Sequence, residues 1–337
     1  MRRISILLPL TLLSLALNAQ TKRVVEEEFT GTHCGWCVRG IAGIEASKQK
    51  YGDRLIIIAV HGSVYDATPM SELSEKAGYE EILSSIRGFP ACKLDRQTDT
   101  LDPYYGRASS GYHITEEIDA QLSKTPPAGL TATASWKDAD CSEIEVKTSV
   151  NFYQSGGDYR LAYVLTADSL KDKSSSWYQL NFYYDMDNDP DVKNDPNLAP
   201  YTKESKYIKN MSYNHVPIDG KGVNKGLEGS LPETITAGSS YEHRVSMRVR
   251  TDILPNIRKE YLHAIVLLLN KQTNQIDNAI EVDVPPPHTA SITTAQNSLP
   301  TVTAYYSIDG RRLTHPQQGL NILRLSDGST RKVMITE

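Results

Sequence analysis

A chain of 337 residues has room for two domains of ordinary size and a tail. Its formal net charge of −5, from 36 basic and 41 acidic side chains, argues against a nucleic-acid partner. Apolar residues make up 39%, enough for packed cores, and past the N-terminus they never gather into the ~18-residue run of a membrane helix, so no transmembrane span is expected in the mature chain.

Residues 1–20 read as a secretory signal. Arg2 and Arg3 form a basic start, Ile4 to Leu17 a short apolar stretch, and Leu17-Asn18-Ala19 a cleavage site before Gln20. The mature protein is therefore expected to be exported, to the periplasm, the outer membrane or the cell surface. Arg23 to Thr30 reads as a strand. It carries Glu26, Glu27 and Glu28 in succession, and because side chains alternate across a strand, at least one must point inward or to a rim.

Cys34-Gly35-Trp36-Cys37 follows, and Cys34 to Tyr51 reads as a helix with Ile41 and Ile44 at helical spacing. A thiol at a helix N-terminus has a lowered pKa, and Cys37, one turn on, lies within reach of a disulfide. In an exported chain such a pair reads as redox-active more readily than as half of a zinc site. Cys34 would act as the nucleophile on a partner disulfide and Cys37 would then resolve the mixed disulfide. No organic cofactor is needed, because two cysteines carry both electrons.

Leu55 to His61 is a continuous apolar run, expected as a buried parallel strand. Ser71 to Ile86 reads as a helix, Gly88 to Asp95 as a short strand opened by Pro90, a further short strand is expected around Leu101, and Thr115 to Leu122 reads as a helix. Residues 126–129 (Pro-Pro-Ala-Gly) read as a linker closing an α/β domain over 21–125. Seven β-rich runs follow: Leu130–Trp136, Ile144–Tyr153, Tyr159–Ala167, Trp177–Tyr184, Tyr241–Val249, His263–Asn270 and Ala279–Val284. They suggest an all-β, immunoglobulin-like sandwich over 130–285. Residues 286–300 read as a tether, and 301–337 as a small β tail with hairpin turns at Asp309-Gly310 and Asp327-Gly328.

A strand, Cys-Gly-Trp-Cys at a helix start and Gly-Phe-Pro opening a later strand together resemble the thioredoxin fold. The wider chain is similar to the outer-membrane-protein-related thioredoxin-like family of Bacteroidetes, through Thr30 to Gly40, Asn214-His215-Val216 and Thr273 to Ala279. It departs from that pattern at His33, where an aromatic is common, and at Val38, where proline is common. The resemblance implies that Glu28 is the buried acid serving as proton carrier for Cys37, that Pro90 is cis, and that Trp36, Phe89 and Pro90 meet an extended substrate chain. The tail resembles the C-terminal sorting domain of the type nine (Por) secretion route through Tyr306 to Arg312 and Gly319 to Ile322, with Asn321 where an aromatic is usual.

Two further groups stand apart. Cys92 and Cys141 either bridge the two domains or stay free. Asp185, Asp187 and Asp189 alternate as in a calcium loop, but Pro190 and Pro196 occupy positions where an EF-hand needs Gly and Glu, so a solvated acidic loop is expected, with a looser calcium site as the alternative. The reading is an exported thiol–disulfide oxidoreductase. Its partners would be protein thiols or disulfides of the envelope and a redox protein that recycles the pair. The alternative is a non-catalytic surface scaffold whose Cys34–Cys37 disulfide is structural.

Overall fold

The computed structural model describes residues 21–287, 302–307, 311–313, 315–325 and 330–335. The expected secretory signal, most of the expected tether and both expected hairpin turns of the tail lie outside the described residues.

The N-terminal part builds a three-stranded sheet in the order β2-β1-β3. Strand β1 (Val24–Thr30) is central, parallel to β2 (Leu55–His61) and antiparallel to β3 (Ala91–Leu94). Helix α1 (Cys37–Tyr51) provides the crossover between the parallel pair, which cannot be joined by a tight turn. The expected helix over 71–86 is broken. It runs as α2 (Pro69–Ser74), a π-helical turn and α3 (Glu80–Ser84), because Gly78 takes a φ of 100° that a helix interior cannot hold. Helix α4 (Ile114–Leu122) completes this part, and the strand expected around Leu101 is a single bridge to Cys92.

Two more sheets follow. One has the order β10-β5-β4, from β4 (Ala128–Trp136), β5 (Glu143–Phe152) and β10 (Ser240–Arg248). The other has the order β12-β11-β6-β9, from β6 (Tyr159–Ala167), β9 (Val216–Lys221), β11 (Leu262–Asn270) and β12 (Ile276–Asp283). A short hairpin of β7 (Gln179–Leu180) and β8 (Tyr207–Ile208), with helix α5 (Pro190–Lys193) between them, sits outside both sheets. The run Trp177–Tyr184 is therefore not a sandwich strand. Its place is taken by β9, which the sequence hides behind Pro217 and Gly220.

Period-two alternation explains the layering. Leu161, Tyr163 and Leu165 of β6 and Ala264, Val266 and Leu268 of β11 pack on Val146, Val150 and Met247 of the opposite sheet. The intervening Ala162, Val164, Ile265 and Leu267 turn the other way and pack on Val25, Phe29, Ile56 and Ile58 of the N-terminal sheet. Strands β6 and β11 are thus buried on both faces, which is why they read as unbroken apolar runs. The remaining face of the N-terminal sheet is covered by α1 and α4 through Ile44, Ile114 and Ile118. Residues 21–287 form one compact unit, in which helices and three sheets stack as successive layers. Strand β4 already begins at Ala128, inside the stretch expected as a linker.

The tail is a second unit, a four-stranded antiparallel sheet in the order β14-β13-β15-β16, from β13 (Val302–Ser307), β14 (Arg312–Leu313), β15 (Gly319–Leu325) and β16 (Thr330–Ile335). Asn321 is buried there. Its amide accepts from the Gln317 N–H and donates to the carbonyls of Gln317 and Gly319, fixing the turn that enters β15.

Candidate functional site

Cys34 and Cys37 form a disulfide at the top of the N-terminal sheet. Helix α1 begins at Cys37, with Trp36 as its N-cap, so Cys34 lies in the turn before the helix and not in its first turn as expected. That turn is closed by the Cys34 N–H to the Gly31 carbonyl at 3.1 Å and the Cys37 N–H to the Cys34 carbonyl at 3.1 Å. Cys37 is fully buried and Cys34 is 6% exposed. A loop after β2 holds the segment from one side: the His33 N–H donates to the Tyr65 carbonyl and the Thr32 N–H to Asp66 Oδ2. Asp66 also meets His61 Nδ1 at 2.5 Å. Burial raises the Asp66 pKa, but the charge and hydrogen bond of His61 and the bonds from Thr68 outweigh it and leave it lowered.

Below the disulfide lies a buried acidic group. Sequence alternation required at least one carboxylate to point inward or to a rim, and all three are buried, because β1 is the middle strand of a sheet covered on both faces. Glu27 faces the β6–β11 sheet and is held by Arg96 through two bonds of 2.6 and 2.8 Å. Glu26 and Glu28 face α1 without a well-formed hydrogen bond on either oxygen, Glu26 having only the Cys92 thiol and Glu28 only the Thr30 hydroxyl as weak polar neighbours. Burial pushes the Glu26 pKa up to about 8, the Cys92 thiol offsetting part of it. Burial, reinforced by the charge of Glu26, raises Glu28 well above the usual carboxylate range. Cys92 sits opposite Glu28 in the β1–β3 register, and its own pKa is raised by burial and by these acids.

The Phe89–Pro90 peptide is cis. A Cβ built on Gly40, three residues past Cys37, would overlap Oε1 of Glu28 and come within 3.1 Å of the Pro90 ring. Glu28, Pro90 and the first turn of α1 are therefore in mutual contact. Phe89 stacks obliquely on Tyr65 at 5.4 Å and, with Gly62, Val64, Leu83 and Ile86, lines an open cavity of about 380 Å³. A second, small cavity of about 20 Å³ touches Glu28 together with Thr30, His61, Ser212 and Asn214. That is room for one water among polar partners.

The site also has a wall that sequence reasoning missed. The segment around β7 runs along residues 32–35. The Leu180 N–H donates to the Thr32 carbonyl at 2.8 Å and the Phe182 N–H to the Gly35 carbonyl at 3.0 Å. The buried amide of Gln179 donates to the Cys34 carbonyl at 3.0 Å. Trp36 meets Phe182 and Tyr183 edge to face at 5.4 and 5.6 Å. The contact joins residues about 145 positions apart, and no local pattern in the sequence announces it.

Other expected residues fall elsewhere. Cys92 and Cys141 are both free thiols and make no bridge: Cys92 is enclosed between β1 and Leu101, while Cys141 lies in the turn entering β5. The acidic loop is a turn. Asp185 takes a positive φ, Asp187 is exposed, and Asp189 caps α5 by accepting from the Asp191 N–H. Among the described residues no group of three or more His, Cys, Asp or Glu side chains is arranged to hold a metal ion, and no helix is long and apolar enough to cross a membrane.

No family model matches the chain, and no curated protein matches it. Solved structures do. An Agrobacterium tumefaciens protein is 16% identical over 82% of this chain and 99% of its own, with a TM-score of 0.41. A domain of the outer membrane lipoprotein Omp28 from Porphyromonas gingivalis is 12% identical over 49% of this chain and 93% of its own, with a TM-score of 0.24. HBP35 of Porphyromonas gingivalis is 15% identical over 94% of this chain and 99% of its own, with a TM-score of 0.51, and at that identity the likeness is one of fold.

Proposed function

We propose that this protein is an exported thiol–disulfide oxidoreductase, with a thioredoxin-like N-terminal part, acting on protein disulfides in the periplasm, at the outer membrane or on the cell surface. The observation that carries the reading is Glu28: fully buried, without a well-formed hydrogen bond or a charged partner, and packed against the first turn of α1 just past Cys37. An unpaired buried carboxyl costs stability, and a disulfide that only clips the chain gains nothing from it. A redox pair does gain, because its buried thiol must lose a proton and regain one in each cycle.

In the reduced protein the Cys34 thiolate attacks a client disulfide, forms a mixed disulfide and releases one client thiolate, which takes up a proton. Cys37 passes its proton to the Glu28 carboxylate and attacks Cys34 Sγ. The client's second sulfur leaves as a thiolate and is protonated, while the Cys34–Cys37 bond reforms; two electrons have passed to the client. Phe89 and Pro90, beside the open cavity, and Trp36 at the rim offer the surface for the client chain. Burial raises the Glu28 carboxyl above its ordinary value, which makes it a stronger proton acceptor than an exposed carboxylate.

A second reading, a scaffold with a structural disulfide, is favoured by the 6% exposure of Cys34. Equilibration in glutathione buffers, with thiols trapped and counted by mass and Cys34→Ser as control, separates the two. A potential above about −270 mV supports exchange, and a pair that stays oxidised below about −300 mV means a clip.

A further inference from the structure

We propose that Phe182, supplied from far along the chain, is an access-determining residue for the Cys34–Cys37 disulfide. The inference rests on the redox reading above. The backbone of residues 179–182 is fixed along the active-site turn by the Leu180, Phe182 and Gln179 bonds to Thr32, Gly35 and Cys34. On that frame the Phe182 ring packs against Gly35, so closely that a Cβ at residue 35 would come within 2.3–2.6 Å of three ring carbons. This is a physical reason for glycine between the cysteines. The neighbouring Trp36 is held edge-on to Phe182, and both stay partly exposed, 40% and 39%, while Cys34, next in the chain to Gly35, is almost closed to solvent.

The frame itself is not a loose flap. Gln179, Asn181 and Tyr183 are buried, and Tyr183 packs with Val38 and Ala42 of α1 and with Tyr104. Alternation leaves Phe182 as the side chain turned outward between two buried anchors. Access to Cys34 is therefore set by one ring on a rigid support. A small thiol in solution meets that ring, whereas a client with enough contact surface presses the Trp36–Phe182 pair aside and reaches the sulfur.

The test uses the full mature chain, oxidised, with dithiothreitol. One dithiothreitol thiolate attacks Cys34 Sγ and breaks the Cys34–Cys37 bond, and Cys37 leaves as a thiolate that takes a proton. The reagent's second sulfur displaces Cys34 and closes a cyclic disulfide, leaving two protein thiols. Phe182→Ala is expected to speed this reaction at least tenfold, and Phe182→Trp to keep it near the wild-type rate. The equilibrium potential should stay the same in all three, because a screen slows both directions alike. Equal rates in wild type and Phe182→Ala overturn the proposal, as does a faster rate accompanied by a matching change in potential, since Phe182 would then act on the stability of the disulfide. If the wild-type potential falls outside the exchange range while Phe182→Ala still accelerates attack, the screen stands and the redox reading fails.

Discussion

Glu28 lies directly beneath Gly40, with its carboxyl filling the space that any side chain at residue 40 would need. Glycine is required there because a helix and a buried acid approach each other, with no demand from the backbone angle. Gly40→Ala is expected to lower unfolding stability by about 1–3 kcal/mol, as overpacking does in a closed core. In a Glu28→Ala background the same change should cost much less, the two positions sharing one space. Urea unfolding of the four proteins checks this, and equal costs in both backgrounds would remove the contact from the account.

Glu26 makes the protein's stability depend on pH in the opposite sense to a salt-bridged acid. Its folded pKa, about 8, stands above the ordinary value of 4.5 because of burial. Its contribution is thus fully present below about pH 4.5 and is lost as pH rises through 8. Glu26→Gln does not titrate, so its advantage over wild type should grow from pH 5 to pH 8 by about 3 kcal/mol. Thermal unfolding of both proteins at the two pH values measures it; an advantage that does not grow contradicts the buried carboxyl without a charged partner.

Glu27 and Arg96 form the buried ion pair between the N-terminal sheet and the β6–β11 sheet, with Arg96 also donating to the Val223 carbonyl at 2.7 Å. Arg96→Met leaves Glu27 without its partner and should cost about 3–5 kcal/mol. Replacing both, as Glu27→Leu with Arg96→Met, should recover most of that loss, since the cost lies in the orphaned charge. Chemical denaturation decides: a double variant as unstable as the single one would show that the pair contributes more than charge compensation.

His263 provides an alkaline limit. It lies 3.3 Å from Asp168 and 2.9 Å from Asp283, and chiefly its bond to Asp168, against the effect of burial, pushes its pKa up to about 9. Its stabilisation is fully present below pH 6.5 and is lost as pH rises through 9. The pair is partly solvated, so the loss should be about 1 kcal/mol. His263→Gln should flatten the stability curve between pH 7 and pH 9.5, and an unchanged slope would place the titration elsewhere.

Much of the site was legible locally. The spacing of Cys34 and Cys37 allowed a disulfide, and the structure contains it. The succession Glu26-Glu27-Glu28 required at least one acid to point inward or to a rim, because a strand cannot turn three neighbours to one side. The helix over 71–86 misled because the positive φ of Gly78, which breaks it, answers to no periodicity. Strand β9 was missed because proline and glycine mask its pattern, whereas the aromatic run around Phe182 looked like a strand and proved to be the wall of the disulfide.

What the sequence determined by itself was therefore short-range: the cysteine pair, the strands that alternate or run apolar, and the turns between them. These follow from periodicity and spacing within a few residues. Only the tertiary structure decided that β1 is covered on both faces, so that Glu26, Glu27 and Glu28 are all buried. It alone brought Gln179 and Phe182 to Cys34 and Gly35. Burial on a second face and contact across more than a hundred residues depend on which surfaces meet when the layers stack. That is a property of the whole packed chain, and no local pattern encodes it.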